Sequence, residues 1–150
     1  MNQTSPASID AVLTADHVRL DRIFDEVRGE IERGASRSRV VLEVLRRELL
    51  KHMEWEEKLL FPAILEANPR YKASTLESLT IDHDRLKERL GDLDACLSDG
   101  CFEAARKVLD EFRAFLEGHN RDEEKGIYID ADRMISEQER RRILARWPVL

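Results

Sequence analysis

Four histidines and two glutamates stand at spacings suited to binding metal ions. The histidines are the only four in the 150-residue chain, and two of them begin the repeated pattern His-x-x-x-Glu-Glu-Lys, at 52–58 and 119–125. On a helix, residues four apart share one face and lie about 6 Å apart along the axis. Imidazole and carboxylate suit iron, manganese or zinc, and no cysteine stands near to indicate a thiolate site. The candidate metal ligands are His17, His52, Glu56, His83, His119 and Glu123.

The other two histidines belong to a second repeat. The stretches TADHVRL at 14–20 and TIDHDRL at 80–86 share Thr-x-Asp-His-x-Arg-Leu. The chain is therefore predicted to be a doubled helical hairpin. Each half would donate one histidine from its first helix and a His-x-x-x-Glu pair from its second, which would build a site with approximate two-fold symmetry.

Five further acids flank these residues. Asp16 and Asp82 directly precede the histidines of the second repeat, where they could orient imidazole N–H groups or lie at the surface. Glu57 and Glu124 directly follow the paired glutamates and are expected to be supporting groups or exposed charges. Asp21, one helical turn after the first histidine, is another acid that could complete a metal shell.

Hydrophobic periodicity predicts the helices that must position these side chains. Apolar residues recur in alternating steps of three and four through segments at about 13–31, 38–66, 76–97 and 102–125, and every histidine falls within such a seam. Pro62 is expected to bend or weaken the last turns of the second segment. The composition agrees, because a chain with 37% charged residues and few glycines or prolines is typical of a helical protein.

Three short stretches with turn chemistry separate the segments: RGAS at 33–36, ANPRY at 67–71 and SDG at 98–100. Short connections between long helices imply antiparallel neighbours, so the predicted fold is an all-α, up-down-up-down antiparallel four-helix bundle with a short C-terminal extra helix. The sequence midpoints between successive histidines fall within or beside these turns. All four imidazoles should therefore lie at nearly one level of the bundle.

Such a cluster of buried polar groups needs compensation. Leaving each group desolvated and unpaired would cost several kcal/mol, which summed exceeds the ~5–15 kcal/mol stability of a typical domain. Either two dications or a buried network of ion pairs must balance it. Metal binding is the interpretation favoured here.

The chain is predicted to be one domain over 1–150, with the bundle at about 9–130 and an appendage at about 131–150. Ser136 and Glu139 form a candidate capping box that would open a short helix. Its three arginines at 140–142 are expected to form a solvated face rather than a binding patch.

Charge and hydropathy give no indication of a nucleic-acid or membrane partner. The net charge of −6 is spread along helices of mixed sign, which gives no indication of a nucleic-acid partner. No run approaches the ~18 apolar residues of a membrane span and no leader pattern is evident, so a cytoplasmic protein without membrane contact is expected. Cys96 and Cys101 are expected to be free thiols.

The order of the ligands resembles that of hemerythrin-like (HHE cation-binding) domains, whose pattern is H…HxxxE…H…HxxxE. The stretch EEKLLFP at 56–62 is also similar to that family, and the resemblance covers about 9–130. It implies a non-haem di-iron centre in which Glu56 and Glu123 bridge the irons and two imidazoles complete each half. An oxo or hydroxo bridge would then leave about one open position per iron, with zinc or manganese as alternative metals.

Three differences distinguish the chain from related helical bundles. Ferritin-like di-iron proteins use Glu-x-x-His, the opposite order and a shorter step. Oxygen-carrying hemerythrins have a fifth histidine, in an HxxxH pair on the third helix, whereas here Lys87 follows His83 by four residues. Their fourth helix also uses a different carboxylate spacing. Reversible oxygen carriage therefore does not follow from the resemblance.

Three functions stay open on the sequence alone. The site could bind or sense O₂, NO, peroxide or iron itself. It could instead be a di-iron oxidoreductase that acts on peroxide, O₂ or NO, since metal catalysis needs exchangeable positions. Thirdly, zinc or another ion could simply stabilise the bundle. The expected partner is a small diatomic or peroxide ligand, and the sequence predicts no oligomeric state.

Overall fold

The computed structural model describes residues 5–148, and within that range all regular structure is helical. The predicted all-α class is therefore confirmed. A single π-helical turn, Glu56–Leu60, joins the second helix to the third. The helices are α1 (Ile9–Glu32), α2 (Ser38–Trp55), α3 (Phe61–Ala67), α4 (Ala73–Ser98), α5 (Phe102–Lys125), α6 (Ile127–Met134) and α7 (Glu137–Leu144).

The four long helices pack side by side as a bundle. Helix α1 contacts α2 and α5, and α4 likewise contacts α2 and α5, while α6 packs on α1 and α5. The three predicted turns lie at the junctions between helices, and two of them begin at the last residue of a helix, Ala67 of α3 and Ser98 of α4. Two of them contain a glycine in the left-handed region, Gly34 with φ +60° and Gly100 with φ +71°, a conformation that other residues adopt at a steric cost. Between residues 5 and 148, no helix combines the length and apolar character that a membrane span requires.

Buried apolar side chains form two clusters, and the histidines of α1, α4 and α5 lie between them in sequence. We call the first the leucine-rich core; its residues lie at 20–31 of α1, 41–53 of α2, 86–97 of α4 and 105–116 of α5. We call the second the closing cluster; its residues lie at 9–13, 55–64, 76–79 and 127–143.

The start of α1 is attached to the C-terminal part of the chain. Ser8 caps the helix by accepting a hydrogen bond from the Ala11 N–H (3.0 Å). Asp132 accepts bonds from the N–H groups of Ile9 (2.7 Å) and Asp10 (3.2 Å). A carboxylate at a helix N-terminus satisfies free N–H groups and interacts favourably with the helix dipole.

The C-terminal appendage contains two short helices, whereas the sequence predicted only one. Helix α7 begins as expected, with the Ser136 hydroxyl accepting from the Glu139 N–H (3.2 Å). Helix α6 was not anticipated. The appendage closes the bundle beside His52, because the Trp147 ring packs edge-on against His52 and Trp55 at centroid distances of 5.5 and 5.0 Å.

The three arginines of α7 do not behave alike. Arg141 and Arg142 are exposed and pair with glutamates of their own helix, as a solvated face would. The expectation is wrong for Arg140, whose guanidinium is mostly buried. It donates to three backbone carbonyl oxygens, those of Ala7, Asp132 and Ile135. Both cysteines are free; Cys96 is half-buried and Cys101 is exposed.

Candidate metal centre

The structure brings all six candidate ligands into one buried cluster. None of the six is more than 4% exposed. They form two groups of four in which the ligand atoms lie within 4.8 Å of one another, and both groups contain Glu56 and Glu123. The first half-site is His17, His52, Glu56 and Glu123, and the second half-site is His83, His119, Glu56 and Glu123.

In the first half-site, the two imidazoles face each other. Their Nε2 atoms are 3.2 Å apart. His17 Nε2 lies 3.4 Å from Glu123 Oε1, and His52 Nε2 lies 3.2 Å from Glu56 Oε1. Two nitrogens and two oxygens therefore surround one small volume.

The second half-site uses the other oxygen of Glu56. His83 Nε2 lies 3.2 Å from Glu56 Oε2 and 3.9 Å from Glu123 Oε2. His119 Nε2 lies 3.1 Å from Glu123 Oε1. Glu56 thus presents one carboxylate oxygen to each half-site, which is what a carboxylate shared by two ions requires.

Two aspartates hold the imidazoles of the His-x-x-x-Glu pairs. His52 Nδ1 lies 2.7 Å from Asp16 Oδ2, and His119 Nδ1 lies 3.2 Å from Asp82 Oδ2. Each aspartate precedes the histidine of one helix and contacts the histidine of the neighbouring helix. Arg19 Nε in turn donates to Asp16 at 2.6 Å.

Two glutamates hold the other pair of imidazoles in the same manner. His17 Nδ1 lies 2.8 Å from Glu124 Oε1, and His83 Nδ1 lies 2.7 Å from Glu57 Oε1. Since carboxylates accept hydrogen bonds, the proton of each neutral imidazole belongs on Nδ1, and Nε2 presents a lone pair to the centre. This is the tautomer that an Nε2 metal ligand needs.

The ligand atoms of the cluster suit cations, because most of the atoms at its centre are hydrogen-bond acceptors. Among the side chains that the structure describes, three buried atoms of the cluster have no hydrogen-bond partner: Glu56 Oε2, His83 Nε2 and Glu123 Oε2. Unpaired buried acceptors of this kind are costly. A metal ion in each half-site would satisfy them, and imidazole with carboxylate is a donor set that iron, manganese and zinc accept.

The electrostatics of the cluster also favour positive charge. Burial lowers the pKa of His52, but Glu56 and Asp16 outweigh burial and raise it to about 10. Burial likewise lowers the pKa of His119, and Glu123 outweighs it to give a value of about 9. Burial raises the pKa of Glu56, whereas His52 and His83 hold it well below its usual value. The carboxylates thus stabilise cations here, whether protons or metal ions carry the charge.

Sequence reasoning missed one residue of the site, Tyr128 of α6. Its buried hydroxyl lies 3.1 Å from His17 Nε2 and 2.5 Å from Glu56 Oε1. Burial raises its pKa well above the usual value, and Glu123 and Glu56 raise it further. The residue follows a helix break at Gly126, which separates α5 from α6. Glycine suits this break because a Cβ there would lie 2.8 Å from the Asp122 carbonyl oxygen.

Two other residues considered from the sequence lie outside the cluster. Asp21 belongs to neither half-site group. Lys87, at the position of the fifth hemerythrin histidine, is exposed and pairs with Asp84 at 3.7 Å. The last turns of the second segment, which Pro62 was expected to bend or weaken, are regular α-helix at Phe61–Ala67, and a π-helical turn that begins at Glu56 precedes them. Turns of this kind are frequent at functional sites.

Comparison with known proteins identifies one family. A family model described as "Hemerythrin HHE cation binding domain" matches residues 8–129. Neither the curated proteins nor the solved structures yield a match to the chain. The matched range includes all six side chains of the two half-sites as well as the tyrosine beside them.

Proposed function

The chain belongs to the hemerythrin HHE cation-binding family, and on that premise we propose that it is a non-haem di-iron protein. Its proposed role is to bind or sense a small ligand, namely O₂, NO or peroxide, or to register iron itself. The observation that carries the proposal is the pair of buried four-residue groups that share Glu56 and Glu123. Two ions held by shared carboxylates account for a cluster that would otherwise contain unpaired buried acceptors.

Each of the two ions would have its own pair of histidine ligands. His17 and His52 would hold one ion, His83 and His119 the other, and the shared glutamates would bridge them. When bound, iron would supply exchangeable coordination positions and a reversible change of oxidation state. The carboxylates on the Nδ1 atoms fix the orientation and tautomer of each imidazole.

We also infer the arrangement of the helices that this role requires. The four long helices would run up, down, up and down, since short connections join α1 to α2 and α4 to α5, and α2 continues through the π-helical turn and α3 to the short connection before α4. The short C-terminal helices would then cover one end of the bundle. This order brings the two sequence repeats into the symmetric positions that a pair of similar half-sites needs.

A di-iron oxidoreductase acting on peroxide, O₂ or NO is the alternative. The observation that favours it is that each half-site supplies only two imidazoles and shared carboxylates. Six-coordinate ions held in this way would keep positions for a reacting molecule. An apolar groove of about 690 Å³ borders the second half-site and includes Phe61 and Glu57, which both contact His83.

Metal content and spectroscopy test the proposal. Full-length protein is loaded anaerobically with Fe(II), desalted and assayed for iron, and two ions per chain are expected from the two groups. Absorption spectra are then recorded during cycles of O₂ or NO addition and removal. A reversible change without consumption supports the binding role, while sustained peroxide or NO consumption supports the oxidoreductase.

A matched pair of variants makes the assay specific. His52→Ala is expected to lose iron, whereas Glu54→Gln, on the same helix but exposed, should keep it. Protein from unsupplemented cells that contains stoichiometric zinc and takes up no iron would contradict both redox roles. That result would instead support a structural ion.

A further inference from the structure

The six candidate ligands and the four carboxylates on their imidazoles match in the two halves of the chain, whereas one pair of equivalent aromatic residues differs. Counting five residues from the first glutamate of each His-x-x-x-Glu-Glu-Lys repeat leads to Phe61 in one half and Tyr128 in the other. Each residue lies at the start of a short helix. The Phe61 ring lies 6.1 Å from the His83 ring, and the Tyr128 ring lies 5.6 Å from the His17 ring. The two aromatic rings therefore occupy equivalent places, and only one has a hydroxyl group.

The Tyr128 hydroxyl lies among all four ligand atoms of the first half-site. It is 3.1 Å from His17 Nε2, 3.3 Å from His52 Nε2, 3.3 Å from Glu123 Oε1 and 2.5 Å from Glu56 Oε1. Ligands about 2.1 Å from a common ion and at right angles to one another are about 3.0 Å apart. The hydroxyl thus has the position of one more ligand on the same ion.

With neutral imidazoles, hydrogen bonding does not account for every contact of the hydroxyl group. A phenol has one O–H donor, which can serve only one of the four surrounding atoms. If the imidazole Nε2 atoms carry lone pairs, as metal ligation requires, the hydroxyl oxygen meets the remaining acceptors lone pair to lone pair. A cation at the centre turns these repulsive contacts into a shared coordination shell.

We propose that Tyr128 is a fifth protein ligand in the first half-site, while the second half-site has no counterpart because Phe61 stands there. The inference rests on the proposed function in that a metal ion must occupy the half-site. On binding, the phenolic O–H bond breaks, the oxygen lone pair forms the metal–oxygen bond and the proton passes to solvent, with no change of oxidation state. A bound dication offsets the cost of a buried phenolate.

The consequence is an asymmetric pair of ions. An extra oxygen ligand in the first half-site reduces the number of positions open to an incoming molecule there. The exchangeable position then belongs to the second half-site, where Phe61 lies beside His83. The apolar groove that includes Phe61 lies on this side of the cluster, so a small apolar gas would reach the ion that has the fewer protein ligands.

Zinc binding provides a test that involves no redox chemistry. Zn²⁺ is titrated into metal-free full-length protein while the near-ultraviolet tyrosinate difference band is followed. The wild type should gain the absorbance of one tyrosinate, and Tyr128→Phe should gain none while still binding zinc. Tyr71→Phe is the matched control, because Tyr71 is the only other tyrosine and its hydroxyl donates to Asp130.

Iron gives a second readout. The ferric protein should show a visible phenolate-to-iron charge-transfer band and phenolate modes in resonance Raman spectra, both absent in Tyr128→Phe. The exchanged variant Phe61→Tyr/Tyr128→Phe should recover them, since the two positions are equivalent. Wild type and Tyr128→Phe with full metal content and identical spectra would overturn the inference alone. Failure to bind either metal would overturn it together with the proposed function.

Discussion

The leucine-rich core and the cluster of candidate metal ligands are equally inaccessible to water, yet different forces must hold them. In the core, apolar groups such as the stacked rings of Phe24 and Phe112, 5.3 Å apart, gain free energy by leaving water. In the cluster, imidazoles and carboxylates lose hydration and need a cation in return. Burial therefore stabilises one region by itself and the other only with a partner. The core should be insensitive to metal, and the cluster should depend on it.

The largest effect is expected from a substitution in the leucine-rich core. Phe112→Ala should reduce the free energy of unfolding by about 3–5 kcal/mol, because a fully buried ring leaves a cavity. The loss should be the same with metal and with chelator, since Phe112 lies two helical turns from His119 and distant sites contribute additively. Denaturant titrations in both conditions measure it. A loss that changes strongly with metal would show that the two regions are coupled.

An effect of similar size is expected from a substitution in the cluster. An ion at about 1,000 times its Kd should stabilise the wild type by about 4 kcal/mol. Glu123→Ala should abolish this metal-dependent gain, because Glu123 belongs to both half-sites. Thermal or denaturant unfolding with and without Fe(II) or Zn²⁺ gives the comparison. Glu117→Ala, exposed on the same helix, should retain the gain; equal gains in both variants would contradict the assignment.

The aspartates on the imidazoles allow the two half-sites to be compared. Asp16→Asn should weaken metal binding by about 10–100-fold, because a carboxylate that orients a ligand histidine contributes that much. Asp82→Asn should have a smaller effect, since its bond to His119 is longer, 3.2 against 2.7 Å for Asp16 to His52. Competition with a chromophoric chelator measures both affinities. Equal losses of affinity in the two variants would show that the length of the hydrogen bond does not determine its contribution.

The grouping of the six candidate ligands was predictable because its signal is local. His-x-x-x-Glu on a helix fixes a shared face, and apolar periodicity shows that this face turns inward. The crossed contacts, such as Asp16 with His52, were not predictable, because they depend on the rotation of one helix against the next. Tyr128 was missed because it follows the break at Gly126, where the 3.6-residue period restarts. Its offset from Glu123, equal to that of Phe61 from Glu56, was nevertheless visible in the sequence.

The smallest effect is expected outside both regions, where Asp132 of α6 contacts the start of α1. Asp132→Ala should lower the free energy of unfolding by about 1–2 kcal/mol, because it removes the acceptor for the N–H groups of Ile9 and Asp10. The loss should be equal with and without metal, since these bonds do not involve the cluster. Arg133→Ala, exposed on the same helix, should have little effect. Yet Asp132 and Tyr128 share α6, so a metal-dependent loss would mean that the cap also holds the tyrosine in the first half-site.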